Sequence, residues 1–469
     1  MNHKLLCALA AIALPLTLPA SAAAQELSAT ETAAIDKAVT ETLANTGVPS
    51  AEIAVVRGGK IVMSRAWGKA SDTIAVASPD LPYQIASNSK QFLGVLLLML
   101  ENDRKLSLND KVAKWLPGVS GGDRITIRQL LNHTSGLQDF WPQDYSFAAM
   151  EKPVKPQEIV DRWGKKPLDY EPGTRYQYSN TGYVVAGLIA EKAGKKPLWQ
   201  QFEQRLFKPL GIHPLPLDET NGAKFPQGYH RNALGPVRAA TPPAKGWLWA
   251  AGELSMTAAD LAKWNLARME RKLLPAADWA EQEKPVVLHD GTTPNYGLGV
   301  SVYVAAGRRV IDHGGESVGF LSQNTVWPDA KASVVVLTNA DFSGTPDTLT
   351  KKIAEIILPK PAASSMNETA RTLDAQAMLA ALLAGKLDPA LLTPNLQYYF
   401  KPETLGDYRE SLTKLGTPTM VEPLRTPRLR GGFVNRNFRV KWGETTMRLL
   451  TYAEPGDQGR WEQFILMPE

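Results

Sequence analysis

Residues 85–100, IASNSKQFLGVLLLML, place Ser87 and Lys90 three positions apart at the start of an apolar run. A serine hydroxyl is a poor nucleophile until a neighbouring base takes its proton. Residues i and i+3 of a helix share a face, so Lys90 is placed to be that base where burial favours its neutral amine. A serine at a helix start also has backbone N–H groups at hand for a developing oxyanion. The plain alternative is a capped core helix, because serine and asparagine are good N-caps. The spacing alone is not selective, since Ser411 and Lys414 repeat it in what reads as a surface helix. Two further stretches separate the copies. EPGTRYQYSNTGY holds the only Tyr-x-Asn of the chain, Tyr178-Ser179-Asn180, between a Pro-Gly turn and a helix. A phenol beside a lysine can relay a proton, and a carboxamide can hold the lysine or a substrate carbonyl. VIDHGGESVGF then ends a strand with His313-Gly314-Gly315 and Glu316. Paired glycines let a substrate lie against the strand edge, where backbone N–H groups are available.

Ser-x-x-Lys, Tyr-x-Asn and His-Gly-Gly, in this order, resemble the serine β-lactamase and penicillin-binding-protein superfamily. Within it the likeness is to the branch of class C β-lactamases, D,D-carboxypeptidases, D-aminopeptidases and esterases. ITIRQLLNHTSGL, YSNTGYVVAGLIAEKAG, KPLGI, WAAGELSMTAADLAKW and NYGLGV are similar to phrases of that family, and the likeness covers about residues 28–358. The resemblance implies an α/β (α+β) fold: an antiparallel sheet flanked by helices, with an inserted, mostly helical domain. It implies an acyl-enzyme on Ser87, with Lys90 as activator, Tyr178 as general acid/base and Asn180 as polar orienter. The oxyanion hole would be the backbone N–H groups of Ser87 and Glu316, and no cofactor is implied. Two positions depart from the lactamase pattern. His313-Gly314-Gly315 stands where lactamases carry Lys-Thr-Gly, and Glu316 follows where a small residue is usual. A histidine, with an unperturbed pKa of ~6.5, offers no permanent cation to a substrate carboxylate.

The elements that must position these residues follow from periodicity. Residues 29–43 read as an amphipathic helix, and AEIAVV, RGGK and IVMSRAWG as a hairpin. A helix is expected from about Ser87 to Asn102. Helical patterns broken by Pro and Gly fill residues 105–240, and strand patterns return between 290 and 340. Strands flanking a helical middle predict a sheet domain, residues 25–358, split by a helical insertion. LPKPAASS, residues 358–365, reads as a linker, taken as 359–365 once the sheet domain ends at Leu358. Beyond it, helical stretches at about 368–384, 388–398 and 402–414 precede four strand-like runs, predicting a C-terminal α+β accessory domain over 366–469.

Composition narrows the function classes. MNHK, an apolar run and ASAAAQ read as an export signal over residues 1–24, cleaved after Ala22 or Ala24, giving a periplasmic or secreted protein. The apolar run is too short to span a bilayer, and no membrane span is expected in the mature chain. The single cysteine, Cys7, lies in that signal, which excludes thiol catalysis and thiolate metal sites from the mature chain. His133, His213, His230, His289 and His313 show no metal-ligand spacing. The net charge of +5 falls to +4 with the loss of Lys4, and the basic residues read as scattered, which argues against a nucleic-acid partner. GVSGG, residues 118–122, matches a nucleophile elbow, but Ser120 follows no strand and opens no helix, so it reads as a loop. His133 reads as a structural loop residue, while Trp247 and Trp249 suit the cleft or the core equally. Three classes remain: a hydrolase of D-amino-acid amides, peptides or small esters; a β-lactamase or D,D-carboxypeptidase; and a non-catalytic receptor. Retention of Ser87, Lys90, Tyr178 and Asn180 together favours the first two, with a small molecule or peptide as substrate.

Overall fold

The computed structural model describes residues 26–142, 146–305, 307–358, 368–456 and 458–468. The expected signal at 1–24 and linker at 359–365 lie outside them. The chain divides into two compact units, one ending at Leu358 and the other starting at Pro359.

In the first unit α1 (Ala29–Thr46) leads into β1 (Ser50–Arg57) and β2 (Lys60–Gly68). Gly58 and Gly59 between these strands have φ of 58° and 78°, the conformation a two-residue hairpin turn demands. Then come α2 (Lys90–Asn102), α3 (Asn180–Gly194) and α4 (Ala258–Met269), with shorter helices among them. The sheet resumes with β3 (Ser301–Ala305), β4 (Arg308–Ser317), β5 (Phe320–Trp327) and β6 (Ala332–Thr338), and α5 (Thr345–Ile357) ends the unit. The six strands run in the order β2-β1-β6-β5-β4-β3, with every neighbouring pair antiparallel. Helices continue beyond the stretch expected from the sequence, as far as Gln282, and short strands interrupt them. The loop after Ala239 has little periodicity of its own, which leaves no boundary to read there.

The sheet has apolar side chains on both faces. Ile53, Val55, Val334 and Val336 meet Ile35 and Val39 of α1 and Leu349 and Ile353 of α5. Val56, Val335 and Leu337 belong to the larger core around α2. Every residue of α2 from Lys90 to Leu100 is buried, so this helix is enclosed all round rather than amphipathic. Trp247 is buried with Phe140, Phe147 and Trp163 around it, and belongs to the core.

The polar start of α2 is tied to the frame by a buried network. The Gln91 side-chain oxygen accepts from Trp264 Nε1 at 2.8 Å and Arg268 Nη2 at 3.1 Å. Arg268 in turn meets Glu283 at 3.3 Å, with side chains 1% and 0% exposed. Arg271 and Arg309, the latter on β4, reach the same carboxylate at 2.8 and 3.0 Å.

The second unit has its own core. Helices α6 (Glu368–Ala384), α7 (Pro394–Tyr399) and α8 (Pro402–Leu415) precede β7 (Met420–Pro423), β8 (Arg428–Arg430), β9 (Phe433–Trp442), β10 (Thr445–Ala453) and β11 (Trp461–Pro468). Five strands form one antiparallel sheet, where four were expected, because the three-residue β8 is too short to read by alternation. Phe438, Val440, Leu449 and Phe464 pack with Met378, Leu379 and Leu396 of the helices.

One stretch departs from the scatter of basic residues read along the chain. Residues 425–448 hold seven Lys and Arg and one acid, an excess of six in a chain whose total is +5. Antiparallel pairing draws them together, with Arg439 opposite Arg448 and Arg428 opposite Asn435. Neutral amides orient several of them: Asn437 Oδ1 accepts from Arg448 Nε at 2.9 Å, and Asn435 Oδ1 from Arg428 Nε at 3.3 Å.

Replacing Glu283 by glutamine leaves buried Arg268 without its counter-charge. We expect a loss of about 3 kcal/mol or more, measured as a lower midpoint of chemical unfolding of the first unit.

Candidate active site

Ser87 does not sit inside the long helix. It lies in a 3-10 turn, Ala86–Ser89, and the α-helix starts at Lys90. Ala86, immediately before it, is buried with φ 45°, a left-handed conformation that costs a non-glycine residue of order 1 kcal/mol. The Ile85 N–H is held by the Leu254 carbonyl at 3.0 Å, and the Ser89 hydroxyl accepts from Leu254 N–H at 3.1 Å. The tight turn thus lifts Ser87 out of the helix, and it lines a cleft of about 650 Å³.

Lys90 is fully buried, and its Nζ donates to Ser87 Oγ at 2.9 Å, Asn180 Oδ1 at 2.9 Å and the Ala251 carbonyl at 2.6 Å. Burial pulls its pKa down to about 7, with Asp139 pulling the other way. A substantial neutral fraction at neutral pH gives the serine an amine base within hydrogen-bond reach.

Ser179 caps α3, its hydroxyl accepting from Gly182 N–H at 3.2 Å, which fixes Tyr178 just before the helix and Asn180 in its first turn. Asp139 holds Asn180 twice, accepting from its backbone N–H at 3.0 Å and from Nδ2 at 3.2 Å. That grip turns the amide oxygen toward Lys90. The Tyr178 ring lies 4.8 Å from Lys90 Nζ, and its buried hydroxyl has no hydrogen-bond partner among the described residues. Burial pushes the phenol pKa up, with the nearby Ser87 side chain partly offsetting it.

His313, Gly314, Gly315 and Glu316 lie on β4 and line the same cleft. β3 pairs with β4 only as far as Asp312, so the outer edge of the strand from His313 to Ser317 is left by its neighbour. The two glycines serve different ends. A Cβ on Gly315 would stand 2.1 Å from the Ile85 carbonyl, so only glycine lets the strand press against the Ser87 turn. Gly314 and Glu316 are exposed. His313 has both ring nitrogens engaged: Nδ1 is 2.5 Å from the Gly314 carbonyl and Nε2 is 2.7 Å from the Tyr296 hydroxyl. Burial, with Lys90 nearby, pulls its pKa down to about 4. Ser120 sits in a loop after a short helix, and Ser411 lies exposed on α8, where Lys414 pairs with Glu410 at 2.7 Å. No group of His, Asp and Glu among the described residues could hold a metal, and no described helix is long and apolar enough to cross a membrane.

The family profile described as Beta-lactamase matches residues 35–357. This chain belongs to the beta-lactamase family. Protein flp of Staphylococcus aureus (strain N315) is 28% identical over 295 residues, 56% of this chain and 58% of that protein, so the match spans little more than half the relative. The crystal structure of a D-stereospecific amidohydrolase from Streptomyces sp. superposes with a TM-score of 0.60 at 28% identity, over 69% of this chain and 98% of that one. An octameric penicillin-binding protein homologue from Pyrococcus abyssi matches 93% of this chain and 99% of its own with a TM-score of 0.61. At 20% identity the latter speaks for the fold, second unit included. The architecture implied by the motifs is therefore that of the beta-lactamase family, with a small C-terminal α+β domain.

The structure brings Asp139 to Asn180 and Tyr296 to His313, and neither stands out in the sequence. Asp139 lies in TSGLQDF, 41 positions from Asn180, without periodicity to mark it. Tyr296 lies in NYGLGV, a phrase the family resemblance singles out without assigning a contact.

The folded pKa of Lys90 lies below its unfolded value, so its burial costs stability at pH below about 7, and the cost fades as pH rises toward 10.5. Lys90→Met removes that cost. We expect it to raise the thermal midpoint more at pH 6 than at pH 9, and to lose acylation of Ser87 by about three powers of ten. In the unaltered protein, labelling of Ser87 by a fluorophosphonate should quicken as pH rises through about 7. A rate that shows no rise as pH crosses that value would remove Lys90 as the base.

Proposed function

We propose that the protein is an exported serine hydrolase that cleaves amide or ester bonds through an acyl-enzyme on Ser87. The observation that carries this reading is the desolvated Lys90 amine, 2.9 Å from Ser87 Oγ and steadied by Asn180. Lys90 takes the Ser87 proton as Oγ attacks the substrate carbonyl. The tetrahedral oxyanion settles on the backbone N–H groups of Ser87 and Glu316, with exposed Gly314 giving the substrate room along the strand. Tyr178, kept protonated by burial, hands its proton to the leaving amine or alcohol, and the same relay run backwards activates the water that frees the acid. Two groups whose pKa values are driven apart, Lys90 down and Tyr178 up, supply the base and the acid. The leader pattern at residues 1–24 supports export.

The cleft supports amine-bearing or neutral substrates such as D-amino-acid amides and small esters. Asp139, Glu316 and Asp347 line it, and no lysine or arginine does among the described residues. His313 is neutral and already engaged on both nitrogens, so it offers a substrate carboxylate no cation. The family tie to a D-stereospecific amidohydrolase supports the D-amino-acid class. One acyl donor supplied amide-capped and as the free acid separates the alternatives at pH 8. We expect kcat/KM to favour the capped form at least about tenfold, the value of one charge-assisted contact. A tenfold preference for the free acid would point to a cell-wall carboxypeptidase. Ser87→Ala should abolish turnover and covalent labelling, and label on Ser120 or Ser411 would sink the assignment.

A further inference from the structure

His133 lies in the loop LNHTSGL, outside the three catalytic motifs, yet it is completely buried beneath them. Its φ of 60° is left-handed, a conformation rare for histidine and retained where the surroundings demand it. That twist lets one residue grip the chain on both sides of Tyr178. The His133 carbonyl accepts from Gln177 N–H at 3.0 Å, and its Nδ1 accepts from Ser179 N–H at 3.1 Å. The ring itself lies under the Tyr178 ring, with centroids 4.0 Å apart and planes inclined by 30°. Lys90 Nζ stands 4.8 Å from the same phenol ring.

An Nδ1 that accepts a hydrogen bond places the ring proton on Nε2 and requires a neutral imidazole. Burial holds the His133 pKa well below the ordinary value, and nearby Lys90 pushes the same way. An imidazolium here would lose the acceptor for Ser179 N–H and add a second cation beside the catalytic amine.

We propose that His133 is a positioning residue for the reaction, holding Tyr178 at the angle from which its phenol exchanges protons. Backbone clamps at Gln177 and Ser179 fix the main chain, and ring contact fixes the side-chain torsion. The phenol hydroxyl makes no hydrogen bond among the described residues, and the Ser87 side chain lies near it, so the cradle sets the angle at which it faces the serine. The proposal rests on the reading of Tyr178 as proton donor.

His133→Phe keeps a ring and removes the acceptor; His133→Asn keeps an acceptor and tolerates a left-handed φ but removes the ring. We expect His133→Phe to slow single-turnover acylation by a small ester about 100-fold, with KM changed less than about threefold. His133→Asn should recover about tenfold of that loss. In a Tyr178→Phe background, either His133 change should cost less than about threefold further, because a residue acting through Tyr178 has nothing left to position. Equal losses with and without Tyr178 would overturn the proposal in favour of a purely structural role. So would full-speed acylation in a folded His133→Phe enzyme. Should His133→Phe not fold, the cycle with His133→Asn draws the same distinction. A Tyr178→Phe enzyme as fast as the unaltered one strikes the proton-donor reading itself, and the proposal with it.

Discussion

One buried amine governs the design of the first unit. Among the described residues the hydrogen bonds of Lys90 Nζ go to neutral oxygens, from Ser87, Asn180 and Ala251. A carboxylate in direct contact would stabilise the ammonium and return the lysine toward its ordinary basicity. The nearest acid therefore works at one remove: Asp139 binds Asn180, and Asn180 turns its carbonyl to the lysine. Aromatic faces take the remaining space, with the rings of Tyr178 and Tyr183 4.8 and 5.2 Å from the nitrogen. The unbroken burial of α2 serves the same requirement, because water reaching that pocket would restore the ordinary basicity of a lysine.

Such a site is costly in free energy, and the cost is distributed. Ala86 carries a left-handed backbone, His133 another, and the Tyr178 hydroxyl goes without a partner among the described residues. Around them lie the parts that hold these compromises in place: the Glu283 carboxylate gathering three arginines, and a six-stranded sheet with apolar side chains on both faces. Strain and unpaired donors persist only where the surroundings over-determine them.

The extent to which this can be read from the chain varies by kind of residue. Ser87, Lys90, Tyr178 and Asn180 stand in short phrases whose spacing carries their chemistry, and the strand runs around 301–338 announce themselves by apolar content. Asp139 and Tyr296 are single side chains whose meaning is their long-range contact, and nothing local encodes it. His133 is visible as a residue but not as a neighbour, since Tyr178 stands 45 positions away and meets its ring only once the chain has folded back. The basic surface of the C-terminal sheet is hidden for a related reason. Arg428, Arg439 and Arg448 are separated by turns in the chain, and antiparallel pairing brings their strands side by side. His313 shows the limit from the other side, because its neutrality comes from burial beside Tyr296 and Lys90 rather than from its own phrase.

The contact of Gly315 with the Ile85 carbonyl has a consequence for how this family member can change. Strand edge and nucleophile turn are pressed together with no space for even a methyl group. The Ser322 hydroxyl binds that same carbonyl at 2.9 Å and receives Asn88 Nδ2 at 2.9 Å. These two walls form a fixed jaw whose gape cannot be widened one residue at a time. Trp141, Pro142 and Leu248 line the same cleft outside that contact, so a change of volume can enter there without moving strand or turn. Turn and strand are thus inherited as one piece, while the rest of the lining is free to drift.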